Sequence, residues 1–231
     1  MTGFLGPAEW EAVRLSLRVA LVATLASAPF GLALALLLAR VRFPGRWLVS
    51  ALVLLPLILP PVVTGYALLS VFGPQGAGGR TLAALGIPVA FRWTGAALAA
   101  AVMAFPLMVR AMRLAAEAVD DRLEEAAATL GASRVRVFLT VTLPLMAPGI
   151  LAGLVLAFAK AMGEFGATIT FVASIPGETR TVPSAIYAFL QTPGAEDAAR
   201  RLVLVSVAIS VSALAVSEWI AHRLTRRVAG R

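Results

Sequence analysis

Five apolar stretches, four of them uncharged and each close to the length of a membrane crossing, constrain this chain more than any other feature. A helix rises about 1.5 Å per residue, so about 20 apolar residues cross a hydrocarbon core about 30 Å thick. Val19 to Ala39 supplies 21 residues between Arg18 and Arg40, and Trp47 to Phe72 supplies 26. Trp93 to Val109 supplies 17 and can lengthen at both ends, because arginine side chains snorkel to the interface. Val137 to Ala159 has 23, and Leu202 to His222 has 21 with Glu218 as its one charge. Composition agrees: 60% of the 231 residues are hydrophobic and 14% charged, against about 45–50% and about 25% in a soluble domain. The expectation is an all-α integral membrane protein, one domain over residues 1–231 with five transmembrane helices.

Two shorter apolar stretches, Phe165 to Ile175 and Thr181 to Leu190, flank the turn Pro176-Gly177-Glu178-Thr179-Arg180. Neither can span alone. Irregular backbone at membrane depth survives only under a cover of protein or beside a water-filled cavity, so this region is expected to be a short re-entrant or interfacial segment.

Several function classes fall away. A net charge of +8 and a pI near 11.4 would suggest nucleic acid in a soluble chain, but the stacking aromatics and basic patches that such binding needs are missing, so the partner is the lipid bilayer. There is no cysteine and a single histidine, His222. That leaves no thiolate metal site and no Ser-His-Asp triad, and no cofactor, metal or catalytic residue is expected. Asp120, Asp121 and Asp197 lie outside the spans, which excludes an intramembrane aspartyl protease. No Gly-x4-Gly-Lys-Ser/Thr phosphate loop exists, since the single lysine, Lys160, sits in Ala159-Lys160-Ala161. Any ATP hydrolysis must come from another polypeptide. Ala26-Ser27-Ala28 imitates a signal-peptide cleavage site, but the apolar run continues to Ala39 and Pro29 would follow the cut directly.

Orientation follows from the arginines between spans. Twelve fall in one alternating set (Arg40, Arg42, Arg46; the five from Arg110 to Arg136; Arg223, Arg226, Arg227, Arg231) and seven in the other. The bias puts the N-terminus outside, the C-terminus inside and the loop 110–136 in the cytoplasm. Prolines punctuate the spans at Pro56, Pro60, Pro61, Pro106, Pro144 and Pro148, each freeing a carbonyl. Neighbouring helices can satisfy those carbonyls, or the kinked helices can line a pathway.

Within the cytoplasmic loop, Val119 to Leu130 has the pattern of a short amphipathic helix, with Asp121 and Glu124 spaced as a capping box and Gly131 as its stop. Leu123, Ala126, Ala127 and Leu130 make a narrow face of mostly small residues. That face packs either on the chain's own membrane domain or on a partner.

The letters in this loop are distinctive. Glu125-Ala126-Ala127, three residues, Gly131, nine residues, then Val141-Thr142-Leu143-Pro144 resembles the E-A-A, x3, G, x9, I-x-L-P loop of ABC importer permeases, with valine in place of isoleucine. The resemblance implies that Glu125, Ala126, Ala127 and Gly131 belong to a coupling helix that docks on an ATPase subunit. It covers nearly the whole chain. Arg42-Phe43-Pro44-Gly45-Arg46, the stretch Leu59 to Tyr66, Gly163 to Thr168 and Ile175 to Thr181 resemble the molybdate branch of the family. Sulfate and thiosulfate permeases share the pattern, with a Gly-Glu-Tyr-Gly form where this chain has Gly163-Glu164-Phe165-Gly166. The implied assembly is a homodimer in the bacterial inner membrane with two ATPase subunits, fed by a periplasmic or extracytoplasmic oxyanion-binding protein. Molybdate is the expected cargo, with tungstate, sulfate and thiosulfate as alternatives. A secondary transporter or channel is the competing class, and the absence of a visible internal repeat counts against it.

Lys160 and Glu164 stand one helical turn apart, and opposite charges at that spacing attract. Either they form a mutually neutralised pair at the outer interface or they serve function, as ionisable residues at membrane depth usually do. Gly163 and Gly166 bracket Glu164 and allow close packing or a bend. A carboxylate repels a dianion, so Glu164 is expected to hold gate or dimer geometry, while Pro60, Thr64, Thr168 and Thr170 are the remaining pathway or gate candidates.

Overall fold

Charges end an apolar run, but caps and prolines end a helix, and the computed structural model, which describes residues 4–228, differs from the hydropathy pattern for that reason. The first helix, α1 (Pro7–Arg40), starts well before the first apolar run. Pro7 at its first position lacks only an N–H that would be orphaned there anyway, and the Glu9 carboxylate turns back to accept from the Gly6 N–H. Arg14 and Arg18 therefore lie inside the helix.

The expected second span is broken into α2 (Arg46–Ile58) and α3 (Pro61–Phe72), bent by 111°. Pro60 and Pro61 remove two consecutive N–H donors, so the carbonyls of Pro56 and Leu57 have no helical partner and the chain runs extended through Leu59 (ψ 145) and Pro60 (ψ 134). After the short α4 (Ala77–Ala84), α5 (Trp93–Glu117) extends eight residues beyond the expected Val109 end.

Helix α5 is the axis of the bundle: 61% of its apolar window is buried, against 28% for α1. Its contact face is Ala96, Ala97, Ala99, Ala100 and Ala104 with Met103, Met108 and Met112. Small residues suit this position because helices associate in lipid through close packing, without a hydrophobic driving force between them. Facing it, a Cβ on Gly149 would come 2.3 Å from the Ala115 Cβ, so glycine sets that approach.

The loop helix α6 (Asp121–Thr129) leads to α7 (Arg134–Val137), a π turn (Phe138–Thr142) and α8 (Leu143–Met162). The wider turn, closed by Leu143 N–H to Phe138 O, gives the Pro144 ring room where a tight helix would drive it into the carbonyl four residues back. Two short helices follow, α9 (Gly166–Val172) and α10 (Val182–Leu190), both too short to span, as the sequence requires. The last, α11 (Glu196–Val228), contains the expected fifth span. The side chains of His222, Arg226 and Arg227, and Arg231 altogether, lie outside the described residues. Among the described residues, four helices are long and apolar enough to cross a membrane, five if the bent α2–α3 pair counts as one span.

The bundle has two poles. One gathers the ends of α1 and α5, the start of α2, and α6. At the other, α10 is tied to α1 by the Val182 N–H to Ser16 Oγ bond of 2.7 Å, and Arg201 of α11 grips the buried Glu9 carboxylate at 2.9 and 3.2 Å.

Candidate functional site

The loop helix owes its start to Asp120, whose carboxylate accepts from the Arg122 N–H at 3.0 Å. The cap thus lies one residue before the expected Asp121, and the capping box with Glu124 does not form. Asp121 and Glu124 instead turn to Arg40 at the end of α1: Arg40 Nη1 donates to Asp121, and Arg40 Nη2 donates to Glu124 Oε1 at 3.0 Å. The same Glu124 oxygen accepts from the Thr142 hydroxyl at 2.7 Å, in the π turn ahead of α8. One carboxylate therefore fastens α6 to α1 and to α8.

Gly131 has φ +85, and no atom lies within 4 Å of where its Cβ would be. Glycine is required there by the left-handed backbone, not by space. Glu125 and Ala126 are exposed, Ala127 is half-buried, and Leu130 is 89% exposed. The face of Leu123, Ala126, Ala127 and Leu130 does not pack on the chain's own membrane domain. It stands open.

At the other candidate cluster, α8 ends at Met162, so Glu164 lies past the helix and not on its continuation. Its carboxylate accepts from Lys160 Nζ at 2.7 Å and from the Ala167 N–H at 3.0 Å, which satisfies the first turn of α9. The side chain of Glu164 is 2% exposed and that of Lys160 28%. The pair of opposite charges does form, and its carboxylate is buried and braces a chain reversal.

The short α9 lies against α3, and two glycines permit it. A Cβ on Gly65 would come 2.5 Å from Ala167 O and 2.8 Å from the Thr170 Cβ, and one on Gly166 would come 2.7 Å from the Pro61 Cβ. Pro60, Thr64, Glu164, Thr168 and Thr170 are brought to one junction in this way. Of the two roles expected for the glycines, close packing or a bend, Gly163 takes the second: a Cβ there would sit 3.7 Å from Ala159 O, and the residue ends α8. Thr170 Oγ1 donates to Gly166 O at 2.8 Å. The Thr64 hydroxyl is buried without a partner. Motif spacing singled out Glu124 and Thr142 but missed Arg40 as the partner of Glu124, because Arg40 and Glu124 are 84 residues apart and no local pattern joins them.

Comparison with known proteins places these features in context. A family model described as "Binding-protein-dependent transport system inner membrane component" matches residues 27–230. The chain is 58% identical over 224 residues to the molybdenum transport system permease protein ModB of Escherichia coli (strain K12), covering 96% of this chain and 97% of that protein. It is 52% identical to the Haemophilus influenzae protein of the same name (95% and 96% covered). Identity falls to 38% with the sulfate transport system permease protein CysT of Salmonella typhimurium (97% and 80% covered). In fold it resembles a chain of a bacterial ABC transporter that imports alginate (TM-score 0.76, 18% identity, 96% and 82% covered). A methionine ABC transporter gives TM-score 0.71 at 17% identity, with 93% and 95% covered.

Proposed function

The chain belongs to the binding-protein-dependent transport system inner membrane components, and from that premise we propose that it is the permease through which an ATP-driven importer moves molybdate. It is a multi-pass inner-membrane transport subunit. The proposed assembly is a homodimer of this single-domain chain. Two separate ATPase subunits dock at α6 through Glu125, Ala126, Ala127 and the Gly131 turn, and a binding protein delivers oxyanion at the opposite pole. The twelve-to-seven arginine bias supports an N-terminus outside. The observation that carries this reading is α6 itself, a protruding face of small residues fastened through Glu124 to two spans, so that force applied to it reaches α1 and α8 together.

Molybdate is favoured over sulfate by the gap between 58% and 38% identity to the respective permeases. Uptake of labelled molybdate tests the assignment in cells that lack their own molybdate permease and express this chain with its ATPase and binding protein. Accumulation should require both partners and should be competed by excess tungstate but not by equal excess sulfate. Equal competition by sulfate would make it a sulfate permease, and uptake without the ATPase would make it a secondary carrier.

Within the junction, Glu164 is proposed to set the gate, with Pro60, Thr64, Gly163, Thr168 and Thr170 around it. A charge-assisted hydrogen bond is worth about 1.5–3 kcal/mol, enough to move a two-state equilibrium about tenfold or more. Glu164→Gln keeps an acceptor for Ala167 but loses the charge opposite Lys160. The expected result is a folded protein that hydrolyses more ATP per molybdate moved, read in proteoliposomes. A wild-type ratio would reduce Glu164 to a structural brace. Exchanging the charges, Lys160→Glu with Glu164→Lys, should not restore coupling, because an ammonium cannot accept from the Ala167 N–H.

A further inference from the structure

The flank of the bundle between α2 and α5 is unfilled. No residue of α2 is buried, and a cavity of about 440 Å³ lies between it and its neighbours, lined by Phe30, Leu52, Val53, Pro56, Val102 and Phe105 among others. Its walls are apolar, and the one hydroxyl there, Ser27, is turned to Ala23 O at 2.6 Å. Val53 also lines a second cavity of about 210 Å³, which continues toward the coupling pole and ends against Arg110, Arg113 and Glu117. An apolar slot thus opens onto a cluster of guanidinium groups.

The charges at its mouth do not balance. Glu117 Oε1 accepts from Arg113 Nε at 2.8 Å and lies 3.7 Å from Arg46 Nη2, so one carboxylate serves two arginines. Arg113 Nη1 also reaches Ser50 Oγ at 3.4 Å. Arg110 is exposed and has no ion pair among the described residues. Three cations against one anion leave an excess of two positive charges. Beside Arg46, Trp47 is 74% exposed, and exposed tryptophan marks headgroup depth at a membrane interface.

We propose that this groove binds an anionic phospholipid of the leaflet at the coupling pole, with its phosphodiester on Arg110 and Arg113 and an acyl chain lying in the slot against Val53. The slot offers an oxyanion no donor, which argues against the transported anion as occupant. The unbalanced arginines at headgroup depth match a lipid phosphate, since a juxtamembrane arginine is worth about 1 kcal/mol toward anionic lipid. Assigning the leaflet as cytoplasmic rests on the orientation proposed above. The binding itself is measured without transport, so its failure leaves the permease assignment untouched.

Native mass spectrometry of the delipidated permease–ATPase complex, titrated with dioleoylphosphatidylglycerol or dioleoylphosphatidylcholine, tests the site. Wild type should retain the phosphatidylglycerol in preference. Arg110→Gln, which removes no hydrogen bond or ion pair among the described residues, should weaken that retention about fivefold, and Val53→Trp should fill the slot and weaken both lipids. The proposal is overturned if the two lipids bind alike and Arg110→Gln changes nothing. It is equally overturned if millimolar molybdate displaces the phosphatidylglycerol, which would make this an oxyanion site. Full disulfide cross-linking of Val53→Cys between two copies in native membranes would overturn it as well, by showing that the groove is covered by a second subunit.

Discussion

Glu124→Ala is expected to uncouple ATP hydrolysis from uptake, lowering transport by an order of magnitude or more while the chain still inserts and still binds its ATPase. The Glu124 side chain is 26% exposed and accepts from Arg40 Nη1 and Nη2 and from the Thr142 hydroxyl. Losing two charge-assisted bonds costs about 3 kcal/mol or more between α6 and the spans. That is comparable to the coupling free energies of about 1–3 kcal/mol that link distant sites. The helix would still form, since its cap is Asp120 and its stop Gly131, but it would no longer pull on α1 and α8 together. Asp121→Ala provides the contrast: its side chain is 77% exposed, and an exposed pair is worth only about 0–1 kcal/mol. Hydrolysis and uptake measured together in proteoliposomes decide the matter. Wild-type coupling in Glu124→Ala would remove the carboxylate from the transmission route.

The second large effect is structural. Gly65→Val should destabilise the fold by about 3 kcal/mol or more, because even its Cβ would fall 2.5 Å from Ala167 O and 2.9 Å from the Ala167 Cα, which are backbone atoms that cannot rotate away. Helix α9 would have to leave α3, opening the junction around Thr64 and Glu164. Gly163→Ala is the matched control, since a Cβ there has ordinary contact distances at 3.7 Å and the change should fall within about 0.5 kcal/mol. Thermal unfolding followed by size-exclusion chromatography in detergent separates the two. A Gly65→Val protein that melts with wild type would mean that α3 and α9 do not pack together in the membrane.

The sequence alone determined the class, an all-helical membrane protein, because that is written in contiguous windows. Transfer of about 20 apolar residues into lipid is a sum over neighbours in the chain, and the proposed coupling-loop motif spans twenty consecutive positions. The helix ends were legible only in part, since the apolar runs stop at charges whereas α1 and α5 continue through Arg14, Arg18, Arg110 and Arg113 to their caps. Pro60 and Pro61 announced a break in the second span. Its 111° bend, however, brings α3 beside α9, where Gly65 and Gly166 allow the approach. The tertiary structure likewise decided which acids matter. Glu164 is buried because α9 turns back over it, and Glu124 serves Arg40 and Thr142 in place of its own helix N-terminus. A hydrogen bond depends on atoms within about 3 Å of each other, whatever their separation along the chain. Partners 84 and 18 residues apart are therefore fixed only when the helices pack.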